Sequence, residues 1–160
     1  MSAGAAAPVA FEAEFVEALR RLFEERIAFN RVIGLRIGSV APTGVTGSIE
    51  MRPELLGHDQ HLRLHGGVIS AALDAMAGLA VMAAIGARHM DEAPLARMQR
   101  FGKLGTIDLR VDYLRPAAGA SFTMRASVLR LGSRVASTRM EFCGADGTLL
   151  ATGSAAYIVS

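Results

Sequence analysis

Between positions 11 and 30 apolar residues recur every three to four places. Phe11, Phe15, Ala18, Leu19, Leu22, Phe23, Ile27 and Phe29 share one side, while Glu12, Glu17, Arg20, Arg21, Glu24 and Glu25 take the other. That is the period of an amphipathic helix. The period then shortens. Residues 33–40 read as a strand, 42–44 as a turn and 45–52 as a second strand. Residues 53–64 form a polar loop holding His58, Asp59, His61 and Arg63. From Val68 to Ile85 the chain is apolar on every side except at Asp74, which predicts a helix buried nearly all round. Gly86 is placed to end that helix at its C′ position. Residues 88–103 are polar and arginine-rich, a loop or a short surface helix.

The last third alternates with period two. Ile107, Leu109, Val111 and Tyr113 fall on one face of a strand; Thr106, Asp108, Arg110 and Asp112 fall on the other. Residues 116–119 turn. Residues 121–131 and 134–143 flank a tight Gly132-Ser133 hairpin, and Asp146-Gly147 leads into a final strand over 148–159. The order is helix, two strands, one long buried helix, four strands. Nothing else in the chain can cover the long helix, so a strongly curved antiparallel sheet must wrap it, an α+β arrangement.

Composition narrows the possibilities. The chain has 160 residues, of which 51% are hydrophobic and 20% charged, enough for a real core and unlike a disordered chain. One domain over residues 11–160 follows a flexible, alanine-rich stretch over 1–10. The net charge of +2 is too small to argue for nucleic acid. Sixteen of the seventeen basic residues are arginine, Lys103 being the exception, and arginine favours carboxylates and phosphates. The single cysteine, Cys143, excludes an internal disulfide and a thiolate metal cluster. The first fifteen residues lack the charged and apolar regions of a secretory signal. A cytoplasmic, reducing location is expected. After Asp74 the uncharged run of the long helix is short of the roughly 20 apolar residues a membrane span needs, so no membrane partner is expected.

Two features of the long helix could carry chemistry. Asp74 is a lone carboxylate amid apolar neighbours, and such a group is costly unless paired or hydrogen-bonded. It reads either as a satisfied core aspartate or as a catalytic acid, base or nucleophile. At the helix N-terminus, His65-Gly66-Gly67 combines open backbone N–H groups, the positive end of the helix dipole and glycines that allow close approach. This suits a developing oxyanion, or simply makes a hinge. Gly66 and Asp74 lie eight positions apart, about 12 Å along a helix. One small reacting group cannot touch both. If both act on one carbonyl carbon they must come from two chains, as a two-fold dimer would supply.

The sequence His65-Gly66-Gly67-Val68-Ile69, then Leu73-Asp74, then Gly78, resembles the hotdog-fold thioesterases of the phenylacetic-acid-degradation (PaaI) type. So do Gly105-Thr106-Ile107-Asp108-Leu109 through Tyr113-Leu114-Arg115-Pro116, and Arg130-Leu131-Gly132-Ser133-Arg134-Val135. The resemblance covers about residues 30–159. It implies a hotdog, a sheet wrapped around one helix with an extra N-terminal helix, and hydrolysis of acyl-CoA to free acid and CoA. It implies Asp74 as catalytic carboxylate, either nucleophile or general base. Gly66, with Gly67, would form the oxyanion hole behind His65, and Thr106 would stand near the water or acyl group. Relatives carry Asn or Gln some six residues before the histidine; here that place is Asp59, with His58, Gln60 and His61 around it. A carboxylate donates only when protonated. For the phosphates of CoA, Arg115, Arg130 and Arg134 are candidates, with Arg97, Arg100 and Lys103 as a further basic group. Coenzyme A belongs to the substrate, so no separate cofactor and no metal is implied. The partners expected are acyl-CoA and further copies of the chain, as a homodimer or dimer of dimers.

Other readings remain. His58, Asp59, His61 and His65 could be a metal cluster, yet they lack the helical register of HExxH-type sites. A non-catalytic acyl-CoA-binding or regulatory module would use the same pocket without turnover. A hotdog dehydratase would need a His-Phe-Pro segment that is missing. The small residues Ala71, Ala75, Ala77 and Gly78 leave room for a short- to medium-chain aliphatic acyl group, with an aryl-CoA as the alternative.

Overall fold

The computed structural model describes residues 10–160. The flexible stretch expected over 1–10 therefore lies, but for Ala10, outside the described residues. The N-terminal helix is not one helix. It comprises α1 (Ala13–Arg21), a π-helical turn over Leu22–Arg26 and, after an extended Ile27 (φ −78°, ψ 103°), α2 (Ala28–Ile33). The apolar period continues across this break, which is why the sequence reads as a single helix. Gly34, in the left-handed region at φ 72°, ends α2. Ile33, expected in a strand, is the last helical residue.

Two strands follow as expected, β1 (Arg36–Ala41) and β2 (Gly44–Glu50), but the loop expected over 53–64 holds two short strands that the sequence did not predict, β3 (Leu56–His58) and β4 (Arg63–Leu64). The long helix is α3 (Gly66–Arg88), and α4 (Pro94–Gln99) follows it. The four closing strands are β5 (Gly105–Tyr113), β6 (Ser121–Leu131), β7 (Val135–Gly144) and β8 (Leu149–Ile158). Six strands form one sheet in the order β1-β2-β6-β7-β8-β5, every pairing antiparallel. The concave face takes α3. Leu73, Met76, Leu79 and Val81 of the helix are fully buried together with Ile49, Phe122, Met140 and Phe142 of the sheet.

Gly86 does not end α3, which runs on to Arg88. Its hydrogen faces the ring of Phe15, whose Cζ lies 2.5 Å from where a Cβ would sit. The glycine lets α1 dock on the helix. Nor is α3 covered on all sides: Gly67 is exposed, and Ala71, Asp74 and Ala75 are half-buried along one stripe. The strand β5 departs from simple alternation as well. Thr106 pairs with Tyr157 and Asp108 pairs with Ala156, so Ile107 is an extra, unpaired residue that stands 58% exposed. Because of this bulge Thr106 shares the concave face with Leu109, Val111 and Tyr113, not the outer face with Asp108.

Candidate active site

Three elements meet at Asp74. The carboxylate projects from the middle of α3. Thr106, turned inward by the bulge of β5, donates its hydroxyl to Asp74 Oδ1 at 2.9 Å. Tyr157, buried on β8 opposite Thr106, brings its hydroxyl within 2.6 Å of the same Oδ1 and 2.7 Å of the Asp74 carbonyl oxygen. Cross-strand partners share a face of the sheet, which is why both hydroxyls reach one carboxylate. Burial raises the pKa of Tyr157 well above the ordinary value near 10, and the hydrogen bond to Asp74 and its charge add to the rise. Tyr157 thus remains a donor at any working pH. With Oδ1 held from two directions, Oδ2 is the carboxylate oxygen without a protein donor among the described residues.

Beside Asp74 opens a cleft of about 290 Å³. Its walls are apolar: Phe23, Ile27 and Phe29 from the N-terminal segment, Ala71 and Ala75 from α3, and Leu104 before β5. The break at Ile27 is what lays this segment over the cleft. Two phenylalanines, Phe23 and Phe29, stand among these walls. Asn30 of α2 also lines the cleft.

The helix N-terminus is built differently from its expectation. His65 is the N-cap, and its Nδ1 accepts the N–H of Gly67 at 2.8 Å. Gly67 is therefore already satisfied, which leaves the Gly66 N–H as the open donor at the helix end. Tyr113 of β5 packs on Gly66: its ring carbon Cε1 lies 3.4 Å from where a Cβ would sit, and its hydroxyl donates to the Gly66 carbonyl at 2.8 Å. A hollow of about 350 Å³ beside Gly66 is lined by Tyr113 and Arg115. Arg115 also donates to the Leu149 carbonyl at 2.8 Å.

The remaining expected residues lie away from the Asp74 cleft. His58, Asp59 and His61 are exposed on the β3–β4 hairpin, with the two imidazole rings 4.7 Å apart and His58 Nδ1 4.0 Å from the Asp59 carboxylate. Arg130 and Arg134 are exposed around the β6–β7 hairpin and line neither hollow. Arg97 is not a phosphate ligand in waiting. It is fully buried, ion-paired to Glu12 at 2.6 Å and stacked 4.3 Å over the Phe15 ring. Arg100 is engaged by Glu92 at 2.7 Å, so of that basic group Lys103 alone is uncommitted among the described residues.

Two residues of the cleft escaped sequence reasoning. Tyr157 sits in a strand of small residues, and only the β5–β8 register aims it at Asp74. Its one sequence signal is a lone aromatic on the inward parity of Ala155, Gly153 and Ala151. Asn30 belongs to a segment that reads as ordinary amphipathic helix.

Comparison with known proteins agrees with this fold. Residues 63–151, more than half of the chain, match the thioesterase superfamily. A protein of Salmonella typhimurium named medium/long-chain acyl-CoA thioesterase YigI is 38% identical over 138 residues, covering 86% of this chain and 89% of that one. Its namesake from Escherichia coli K12 is 36% identical over the same coverage. A crystal structure from Shewanella oneidensis, described as related to the thioesterase superfamily, superposes with a TM-score of 0.86 at 40% identity, covering 92% of this chain and 97% of that one. With an antiparallel sheet curved around α3 and a carboxylate set in the middle of that helix, the chain belongs to the thioesterase superfamily: it is a hotdog-fold thioester hydrolase.

Proposed function

We propose that this enzyme hydrolyses medium-chain aliphatic acyl-CoA to free acid and CoA at a site assembled from two copies of the chain. The observation that carries the reading is the pair of contacts made by β5. Near one end of the strand Thr106 holds Asp74; at the other Tyr113 packs on Gly66. β5 is an edge strand with an unpaired row of backbone groups, flanked by exposed Ile107, Tyr113 and Leu114. Pairing antiparallel with the same strand of a second copy would bring the Asp74–Thr106 end of one chain to the Gly66–Tyr113 end of the other. That supplies both halves of an acyl-transfer site, which one helix cannot.

In this arrangement the acyl chain occupies the apolar cleft beside Asp74 and the thioester carbonyl points at the partner subunit's Gly66. The backbone N–H there, at the positive end of a helix, stabilises the oxyanion as the tetrahedral intermediate forms. Asp74 drives the attack and the CoA thiol leaves. The names of the Salmonella and Escherichia coli relatives support CoA esters of medium or longer chain. The cleft walls of Phe23, Ile27 and Leu104 support an alkyl chain; Phe23 and Phe29 favour an aryl group as the second reading.

Thiol release from a series running from acetyl-CoA to palmitoyl-CoA, with benzoyl-CoA and phenylacetyl-CoA, tests the reading. Turnover is expected to peak at octanoyl- to dodecanoyl-CoA. Asp74→Asn should retain the oligomer and lose about 10²–10⁴-fold in kcat. Ligand binding without thiol release from any ester would instead identify a binding module, and a peak at the aryl esters would establish the second reading.

A further inference from the structure

The cleft beside Asp74 contains a donor that the fold leaves unused. Asn30 is only 4% exposed, and its Nδ2 has no hydrogen-bond partner among the described residues. The backbone holds it firmly: its carbonyl accepts the N–H of Leu35 at 3.0 Å where α2 ends. Asn30 lines the same cleft as Asp74, Thr106 and Tyr157. A buried N–H without an acceptor costs about 1–3 kcal/mol. Neither the neighbouring Phe23, Ile27 and Phe29 side chains nor an alkyl chain can supply that acceptor. An oxygen brought by the reaction would satisfy it. Asp74 presents the complementary group, because Oδ1 is taken by two hydroxyls and Oδ2 is open. An amide donor and a carboxylate acceptor on one small cleft are what a bound water requires. It gives one proton to Oδ2 and accepts Nδ2–H with one lone pair. The other lone pair is left for a carbonyl carbon.

We propose that Asn30 is a further catalytic residue that holds the attacking water through Nδ2 while Asp74 deprotonates it. The proposal rests on the hydrolase reading of this cleft and deepens it by making Asp74 the general base. In the first step a water O–H bond breaks and its proton passes to Oδ2. The water oxygen bonds the carbonyl carbon, and the C=O π pair moves onto the carbonyl oxygen. In the second step the oxyanion pair re-forms the C=O bond, the C–S bond breaks, and the sulfur leaves with its electron pair and receives the proton from Asp74. The products are the acid and the CoA thiol.

The test compares wild type with Asn30→Leu, which keeps the branching of the side chain and removes the donor, and with Asn30→Asp, which replaces the donor by an acceptor. Octanoyl-CoA hydrolysis is followed with and without hydroxylamine, a nucleophile that needs no positioned water. Each variant is expected to lose about 10²-fold in kcat with little change in KM. The ratio of hydroxamate to acid is expected to rise sharply. With enzyme in excess in oxygen-18 water, the first acid released should carry the label. A ratio unchanged while both products fall together would mean a structural role and overturn the proposal. So would a loss confined to 3-hydroxyoctanoyl-CoA, which would place Asn30 on an acyl oxygen, or unlabelled first-turnover acid, which would make Asp74 the nucleophile. A wild-type enzyme that releases no thiol overturns the hydrolase reading itself, a result separate from active wild type with an unaltered ratio.

Discussion

The hydroxyl of Tyr157 lies 2.6 Å from Oδ1 of Asp74, on the oxygen that Thr106 also holds. Two hydroxyls on one oxygen fix the carboxylate plane and leave its other oxygen without a protein donor among the described residues. Tyr157→Phe keeps the buried ring and deletes one donor, so the fold should survive. We expect kcat to fall about 10–100-fold with KM nearly unchanged. Thr106→Val should act in the same direction, and the double variant should lose less than the two single losses combined, since both donors serve one orientation. Initial-rate kinetics on the four proteins checks this.

The same contact sets an alkaline limb. The folded-state pKa of Tyr157 is raised above its ordinary value near 10, first by burial and then by Asp74. A raised group contributes its stability in full below the unfolded value and loses it as pH climbs beyond. Wild type should therefore weaken between pH 10 and 11.5 more than Tyr157→Phe does. Urea midpoints at pH 9 and at pH 11 compare the two. Equal losses would show that Tyr157 titrates as it does in the unfolded chain.

Part of this geometry was legible in the sequence, where the signal was local. Asp74 stood out because a charge breaks an otherwise apolar helix, and the His65-Gly66-Gly67 segment because helix starts have a chemical signature. The strands of the last third announced themselves by alternation and by Asp146-Gly147, whose glycine adopts φ 84°. Simple parity puts Thr106 on the wrong face because a single extra residue, Ile107, inverts the parity of everything before it, and no residue type there marks a bulge. The break at Ile27 is invisible for a related reason: a π-helical turn preserves the apolar period while displacing the residues after it. Tyr157 reaches Asp74 through strand register, and Asn30 reaches the same cleft through helix packing, neither of which a local pattern encodes.

Gly86 lies under Phe15, and its packing outweighs its propensity. Alanine is worth about 1 kcal/mol over glycine in a helix interior. Here the added Cβ would sit 2.5 Å from the Phe15 ring, whose residue is fully buried. Gly86→Ala is expected to be destabilising by about 1–3 kcal/mol, with Phe15→Leu in the same chain recovering part of the loss. Denaturant midpoints decide, and a stabilised Gly86→Ala would show that α1 is free to move away.

Arg97 fastens the N-terminal segment to α4 through Glu12, and the two ends of the clasp are unequal. Arg97 is fully buried while Glu12 is partly in water. Removing Glu12 strands a buried cation; replacing Arg97 by methionine keeps packing on Phe15 and frees Glu12 to solvent. Glu12→Ala should therefore lower Tm more than Arg97→Met. The hydrogen bond from Arg97 holds the Glu12 carboxyl below its ordinary 4.5. A depressed group contributes above its unfolded pKa, and that stability is lost as pH falls through the folded one. Glu12→Ala should show a shallower decline than wild type in melts taken from pH 6 down to pH 3.

In the proposed self-pairing of β5, the charges of the strand select the register. Asp108, Arg110 and Asp112 alternate along its outer face, and within one chain Arg110 reaches Asp112 at 3.1 Å. In an antiparallel pair centred on Leu109, each Asp108 faces the other chain's Arg110, and the Gly105–Thr106 end lies opposite Tyr113. A pair centred on Arg110 would set arginine against arginine and Asp108 against Asp112. Like charges directly opposite are destabilising, so the first register wins. Arg110→Asp should then release monomer in sedimentation at low ionic strength and remove thioesterase activity in parallel, as the proposed two-copy site requires. Adding Asp108→Arg to that variant restores opposite charges in the Leu109-centred register and should return both dimer and activity. Full activity in a monomeric Arg110→Asp protein would show that one chain brings its own oxyanion donor to Asp74, and the two-copy site would have to be abandoned.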